Sequence, residues 1–192
     1  MIKQYIIFAG VNGAGKSTLY QTNSRLLTMP RINVDEIVRE YGDWQNEENV
    51  LRAGKAAAKK INEFFKNEIS FNQETTLCGK SILRNIQRAI NLGYKIDLYY
   101  VGLDSAETAK HRVKIRVAAG GHGIPEKDIE RRYYESLEQL KVVLPYCDHV
   151  EIYDNTKIFT KVAGFEKGHC NMKNNNIPNW AKDILKHNPT IL

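Results

Sequence analysis

The chain has 192 residues, 42% hydrophobic and 26% charged, with 28 Lys and Arg against 22 Asp and Glu, a formal charge of +6. That size suits one globular domain over 1–192. The lack of any run of roughly 20 apolar residues, or of a long apolar stretch after Met1-Ile2-Lys3-Gln4, argues against a membrane span or secretory leader, so a cytoplasmic protein is expected. Cys78, Cys147 and Cys170 suit neither a disulfide framework nor a paired metal site and read as reduced thiols, and the basic excess is spread out rather than gathered into a nucleic-acid arm.

Ile6-Ile7-Phe8-Ala9, after Tyr5, reads as a strand buried on both faces and ends at Gly10. A Gly-rich turn follows, then a helix over 16–23, a short strand over 31–34 and a long helix over 46–68. On that helix Val50, Leu51, Gly54, Ala57, Ala58, Ile61 and Phe65 share one face. Strand 69–76, helix 81–92 stopped by Gly93, strand 95–101 and helix 105–119 come next. The break Gly120-Gly121-His122-Gly123-Ile124-Pro125 precedes a helix over 126–141 and a last central strand over 149–154. The stretch 167–179 reads as a surface loop before a short helix over 180–186, so that 167–192 forms a loop and docking helix. The alternation predicts an α/β fold, a P-loop kinase-like parallel sheet with helices on both faces and a small helical lid at about 105–141.

Gly10-Val11-Asn12-Gly13-Ala14-Gly15-Lys16-Ser17 fits G-x-x-x-x-G-K-[ST] between a strand and a helix, the context that gives the motif meaning. Glycines let backbone N–H groups converge on phosphate oxygens, and the helix start adds its positive end. Lys16 is placed to reach the β- and γ-phosphates, Ser17 to ligate Mg²⁺ and Thr18 to hold the α-phosphate, so ATP with Mg²⁺ is the expected cofactor pair. The alternative is an incidental Gly-rich turn.

A P-loop alone does not separate an ATPase, a GTPase switch and a kinase, and no guanine-reading N-K-x-D sequence is present. Asp35 follows the second strand at the carboxyl edge of the sheet, where doubly wound folds bind ligands. It reads either as the base that takes a proton from an acceptor hydroxyl or as the N-cap of the next helix. Glu74, at the end of the next strand beside Thr75, reads as a carboxylate for acceptor hydroxyls or a Mg²⁺-bound water, or as a solvated strand end. Asp104 reads as a helix cap, and Tyr99 and Tyr100 as sheet core. Arg112, Arg116, Arg131 and Arg132 bracket the Gly120–Pro125 turn as a cationic lid would, with Arg112 and Arg116 one turn apart and at most one of Arg131 and Arg132 facing inward. A solvated basic face is the alternative.

With these pieces the sequence resembles the zeta-toxin family of P-loop kinases in a short-chain form. The match runs from the P-loop through Asn33-Val34-Asp35, Glu74-Thr75-Thr76-Leu77, Gly102-Leu103-Asp104-Ser105, Gly120-Gly121-His122-Gly123-Ile124-Pro125-Glu126, Arg131-Arg132-Tyr133 and Tyr153-Asp154-Asn155. The resemblance implies an ATP-dependent kinase acting on a sugar hydroxyl of UDP-N-acetylglucosamine, with Asp35 as base, Lys16 and Ser17 in the P-loop and Glu74 on the substrate. One of the family's two lid arginines corresponds to Arg112 or Arg116. The second falls near His122, where this chain departs from the better-known toxins and leaves Arg131, Arg132 or His122 for that role. The resemblance also implies that Asn155 lies near adenine and that a separate antitoxin protein blocks the nucleotide site.

Two other functions share these residues. A polynucleotide-end kinase would need a basic channel with stacking aromatics, which Tyr133, Tyr134 and the nearby arginines would have to supply. A non-catalytic ATP-binding switch would bind nucleotide without Asp35-dependent transfer. The remaining features read as structural: His169-Cys170 lacks a second ligand pair for zinc, His111 and His149 read as surface or core histidines, and Trp44 and Trp180 as anchors of connecting segments, with the border of the acceptor pocket as the alternative for Trp44.

Overall fold

A computed structural model describes residues 2–22 and 27–186. Along the chain come β1 (Gln4–Ala9), α1 (Lys16–Thr22), β2 (Arg31–Asn33), α2 (Val34–Tyr41), α3 (Glu47–Lys66), β3 (Phe71–Thr75) and α4 (Lys80–Asn91). They are followed by β4 (Lys95–Gly102), α5 (Ala106–Ala118), α6 (Glu126–Val143), a 3-10 turn (Leu144–Tyr146), β5 (His149–Asp154), β6 (Thr160–Glu166), β7 (His169–Lys173) and α7 (Asn179–Lys186). One seven-stranded sheet runs in the order β2-β3-β1-β4-β5-β6-β7.

The first five strands pair in parallel, as the strand-helix alternation predicts. The last two do not, so the expected parallel sheet is corrected to a mixed one: β6 runs antiparallel to β5, and β7 to β6. The stretch 167–179, expected as a loop, contains the edge strand β7. Lys167 and Gly168 turn the chain between Glu166 and His169 with φ of 48° and 80°, the two positive values a tight two-residue hairpin turn requires. The sequence hides β7 because four of its five residues face solvent and it has no alternating apolar pattern.

A second departure lies after β2. The helix for which Asp35 is the alternative cap is α2 at 34–41, separate from the long helix expected over 46–68, and its N-cap is Asn33 rather than Asp35. The Asn33 side chain accepts the Asp35 N–H at 3.0 Å. Strand thus passes into helix with no intervening loop, which places Asp35 in a first helical turn at the edge of the sheet.

Alternation along β1 divides the core. Tyr5, Ile7 and Ala9 join a cluster with Ala53, Ala57, Ile61 and Phe65 of α3 and Ile82, Ile86 and Ala89 of α4. Ile6 and Phe8 face the other way, toward Leu19, Tyr20 and Tyr99. On α3 the predicted face is rotated: Ala53 replaces Val50 and Leu51, which are 40% and 59% exposed. α6 contributes Ile129 and Tyr133 to one cluster and Leu140 and Val143 to another. Both ends of α6 thus pack into the core, and the connection that precedes it, His122–Pro125, lines the cleft described below. The Trp180 ring leaves no room for a Cβ on Gly102, 2.3 Å away, and its Nε1 donates to Asp154 at 2.8 Å, so α7 clamps the ends of β4 and β5. Among the described residues, no helix is long and apolar enough to cross a membrane.

Phe65 is the aromatic hub of the larger cluster, with ring centroids of Tyr5, Phe71 and Tyr94 at 5.7, 5.2 and 5.5 Å. Phe65→Ala is expected to cost about 3–5 kcal/mol of stability, measured as a fall in the urea midpoint at constant slope.

Candidate active site

The P-loop turn spans 10–17 between β1 and α1, and its backbone is set by close approaches. Gly10 has φ +137°, and a Cβ there would stand 2.1 Å from the Val101 carbonyl oxygen, so β4 presses directly on the start of the turn. A Cβ on Gly15, at φ +101°, would stand 2.5 Å from Asn155 Nδ2, which instead donates to the Ala14 carbonyl at 2.8 Å. Asn155 is tied to Gly102 by its own N–H at 3.0 Å, so the residue after β5 braces the cradle from behind.

Lys16 is buried, with Nζ donating to the Val11 carbonyl at 3.0 Å and lying 3.9 Å from Glu74 Oε1. Burial lowers its pKa, opposed by the Glu74 and Asp35 charges and assisted by Arg116 and Arg132. The Ser17 hydroxyl donates to Glu74 Oε2 at 2.9 Å. Thr18 is exposed. Glu74 is not a solvated strand end: its side chain is 9% exposed and also accepts from Asn33 Nδ2 at 3.3 Å and Arg31 Nη2 at 2.5 Å.

Asn12, Lys16, Asp35, Glu74, Thr75, His122 and Arg132 all line one cleft of about 1310 Å³. Asp35 Oδ1 lies 3.5 Å from His122 Nε2. The His122 ring is buried edge-on to Trp44, centroids 5.4 Å apart, and its Nδ1 has no partner. Thr75 Oγ1 accepts the Leu77 N–H at 3.0 Å, supporting the positive φ of 67° at Leu77.

The four arginines separate. Arg132 donates to Asn12 beside the P-loop at 3.2 Å, whereas Arg131, which also lines the cleft, is paired with Asp128 at 3.3 Å and Glu135 at 2.7 Å. Arg112 lies beside Gly13, donates to the Thr156 carbonyl at 3.0 Å and does not line the cleft that holds Asp35. Arg116, one turn on, keeps buried Nε and Nη2 atoms without partners. Tyr133 is buried with its hydroxyl on the Leu103 carbonyl at 3.1 Å and offers no face for a base to stack on, whereas Tyr134 is 60% exposed.

Residues absent from the sequence-based set also meet here. Arg31 and Asn33 hold Glu74, and Trp44 lines the cleft, in keeping with the alternative rather than the favoured of its two readings. The signal available for Asn33 was its place before an acidic turn, Asp35-Glu36, which marks an N-cap; Arg31 had none. The helix cap near Asp104 is Ser105, whose Oγ accepts the Thr108 N–H at 3.1 Å, with Asp104 accepting the Thr108 hydroxyl at 2.6 Å. His149 is bonded to Glu166, all three cysteines are free, and no group of three metal-binding side chains occurs among the described residues.

The Zeta toxin family model matches residues 2–162. The chain belongs to the zeta-toxin family. It is a phosphotransferase of the P-loop kinase type, and its activity is ATP-dependent and kinase-like. An uncharacterized protein of Haemophilus influenzae is 32% identical over 133 residues, covering 69% of this chain and 94% of that protein. Among solved structures, the PezAT toxin-antitoxin system of Streptococcus pneumoniae aligns with a TM-score of 0.62 at 17% identity over 85% of this chain and 72% of that one. AvrRxo1-ORF1:-ORF2 with ATP aligns at 0.72 and 12% identity over 100% and 65%. At such identities these two show a shared fold.

His122 gives the zeta-toxin fold a pH response here. Burial lowers its pKa below the ordinary 6.5; Asp35 opposes this, while Arg116, Arg39 and Arg132 add to it. The folded chain then holds a neutral imidazole where the unfolded chain takes up a proton. Its contribution to stability is complete above the unfolded value and is lost as the pH falls through the lower folded value. Between about pH 7 and 5 the wild-type urea midpoint is therefore expected to fall more steeply than that of His122→Gln; equal slopes would remove His122 as the cause.

Proposed function

We propose that the chain transfers the γ-phosphoryl group of ATP to a sugar hydroxyl of UDP-N-acetylglucosamine or a related nucleotide-linked alcohol, with Asp35 as general base. The observation that carries this reading is the common cleft of Asp35, Lys16 and Glu74. A hydroxyl bound beside Asp35 would give its proton to the carboxylate as its oxygen bonds to the γ-phosphorus and the bond to the β–γ bridging oxygen breaks.

In this reading Lys16 leaves the Val11 carbonyl for the β- and γ-phosphates. Arg116, with its unpartnered buried nitrogens, and Arg132 meet the charge that develops on the transferred group. His122 and Thr75 line the acceptor side, and Arg112 and Asn155 the nucleotide side, where both already bond to backbone carbonyls beside the cradle. The Ser17 hydroxyl and Glu74 carboxylate, 2.9 Å apart, are hard oxygen donors that fit Mg²⁺, one directly and one through water. When bound there, the ion would neutralise phosphate charge and fix the nucleotide's orientation.

A separate antitoxin protein is the proposed partner. Family membership supports this, as do the two-component assemblies named for the structural neighbours.

The test supplies ATP, Mg²⁺ and UDP-N-acetylglucosamine to wild type and Asp35→Asn and resolves products by mass. Wild type is expected to form a phosphorylated UDP-sugar, and Asp35→Asn to bind ATP but transfer about 10²–10⁴-fold more slowly. Phosphate appearing only on other alcohols or on oligonucleotide ends would replace the acceptor, and undiminished transfer by Asp35→Asn would remove the base.

A further inference from the structure

The first residue of β2 is a cation buried in the wrong place for a simple surface charge. The Arg31 side chain is 11% exposed, and all three nitrogens of its guanidinium are engaged. Its carbon lies 3.7 Å from the centroid of the Tyr20 ring on α1, the helix that begins with Lys16. Nη2 donates to Glu74 Oε2 at 2.5 Å, Nη1 to Asn72 Oδ1 at 3.3 Å and Nε to Glu36 Oε1 at 3.2 Å. Asn33 Nδ2 reaches the same two carboxylates, Glu36 at 3.0 Å and Glu74 at 3.3 Å, while its Oδ1 caps α2 at Asp35.

Glu74 therefore has two sets of donors with different fates. Ser17 and Lys16, at 2.9 and 3.9 Å, belong to the P-loop and are the groups a Mg²⁺–nucleotide would recruit. Arg31 and Asn33 belong to β2 and have no phosphate to move to. Once Lys16 turns to phosphate, Arg31 is the cation left on a carboxylate that is only 9% exposed. A buried carboxylate stripped of its cation is costly and would pull Lys16 back toward itself. The forked guanidinium, stacked on Tyr20, fixes the carboxylate's position as well as its charge.

We propose that Arg31 is a positioning residue for the metal side of the nucleotide site, holding Glu74 in place for the Mg²⁺–nucleotide and freeing Lys16 for phosphate. The proposal rests on the reading of Glu74 as a carboxylate that serves the metal. It assigns a role to a residue with no phosphate-binding motif around it, through a contact made across two strands.

The test measures ATP binding without acceptor as a function of Mg²⁺ concentration, in wild type, Arg31→Gln, Glu74→Gln and the double variant. Arg31→Gln is expected to raise the Mg²⁺ concentration at half-saturation by about 10–100-fold, the usual effect of removing a group that orients a metal-site carboxylate. The double variant is expected to be no worse than Glu74→Gln alone, because Arg31 acts through that carboxylate. Arg31→Lys keeps the charge and loses the fork, so it should fall between wild type and Arg31→Gln; it carries the test by itself if Arg31→Gln does not fold.

Wild-type Mg²⁺ dependence in a folded Arg31 variant, with Glu74→Gln shifted, overturns the role of Arg31 and leaves that of Glu74. Additive losses in the double variant overturn it as well, since Arg31 would then act elsewhere. Unchanged Mg²⁺ dependence in Glu74→Gln itself removes the reading of Glu74 on which the inference rests.

Discussion

The register of β1 between β3 and β4 is the constraint from which the site follows. Phe8 stands opposite Glu74 on one side and Tyr99 on the other, and Ala9 opposite Thr75 and Tyr100. Asn33 in turn stands opposite Glu74. Parallel pairing brings all these strand ends to one edge, so the P-loop emerges beside a carboxylate and the capped start of α2. A slip of one residue would turn each of these side chains to the opposite face of the sheet. The contact of Gly10 with the Val101 carbonyl depends on the same register, since a neighbour that close leaves no space for a side chain.

Two cations at this edge make no hydrogen bond to an acidic side chain among the described residues. Lys16 bonds to the backbone of its own loop, and Arg116 has buried donors with nothing to bond. Unmet buried donors carry a free-energy penalty that a bound phosphate would relieve, which is one way a site gains affinity for that group. The two acidic groups are treated differently. Glu74 is enclosed by donors from two elements, α1 and β2, whereas the Asp35 side chain is 32% exposed and, among the described residues, has only His122 at ion-pair distance. The enclosed carboxylate suits a fixed role beside the phosphates, and the open one suits contact with an incoming hydroxyl.

The antiparallel end of the sheet supports the nucleotide side from a distance. β6 pairs with β5 up to Asp154, and α7 sets Trp180 against Gly102 and on the Asp154 carboxylate. Asp154 also accepts from Thr156, whose carbonyl receives Arg112. The loop that braces the P-loop through Asn155 is thus held at both ends, by the sheet and by the C-terminal helix.

The sequence by itself determined what is encoded locally. The glycine spacing of the P-loop, the alternation of apolar runs with amphipathic helices, and the positions of Asp35 and Glu74 at strand ends were legible because each depends on neighbours within one or two turns of chain. Even there boundaries and short elements escaped: α2 starts directly from a strand, its cap two residues ahead of Asp35, and β7 is an exposed edge whose order comes from its partner. Tertiary structure alone decided which charges meet. It separated Arg131 from Arg132, carried Arg112 to the Thr156 carbonyl, brought Trp44 onto His122 and placed Arg31 on Glu74, 43 residues along the chain. Such pairings depend on strand order and register, which no local pattern of residues specifies, because a long flexible side chain takes its partner from whatever the fold brings within reach.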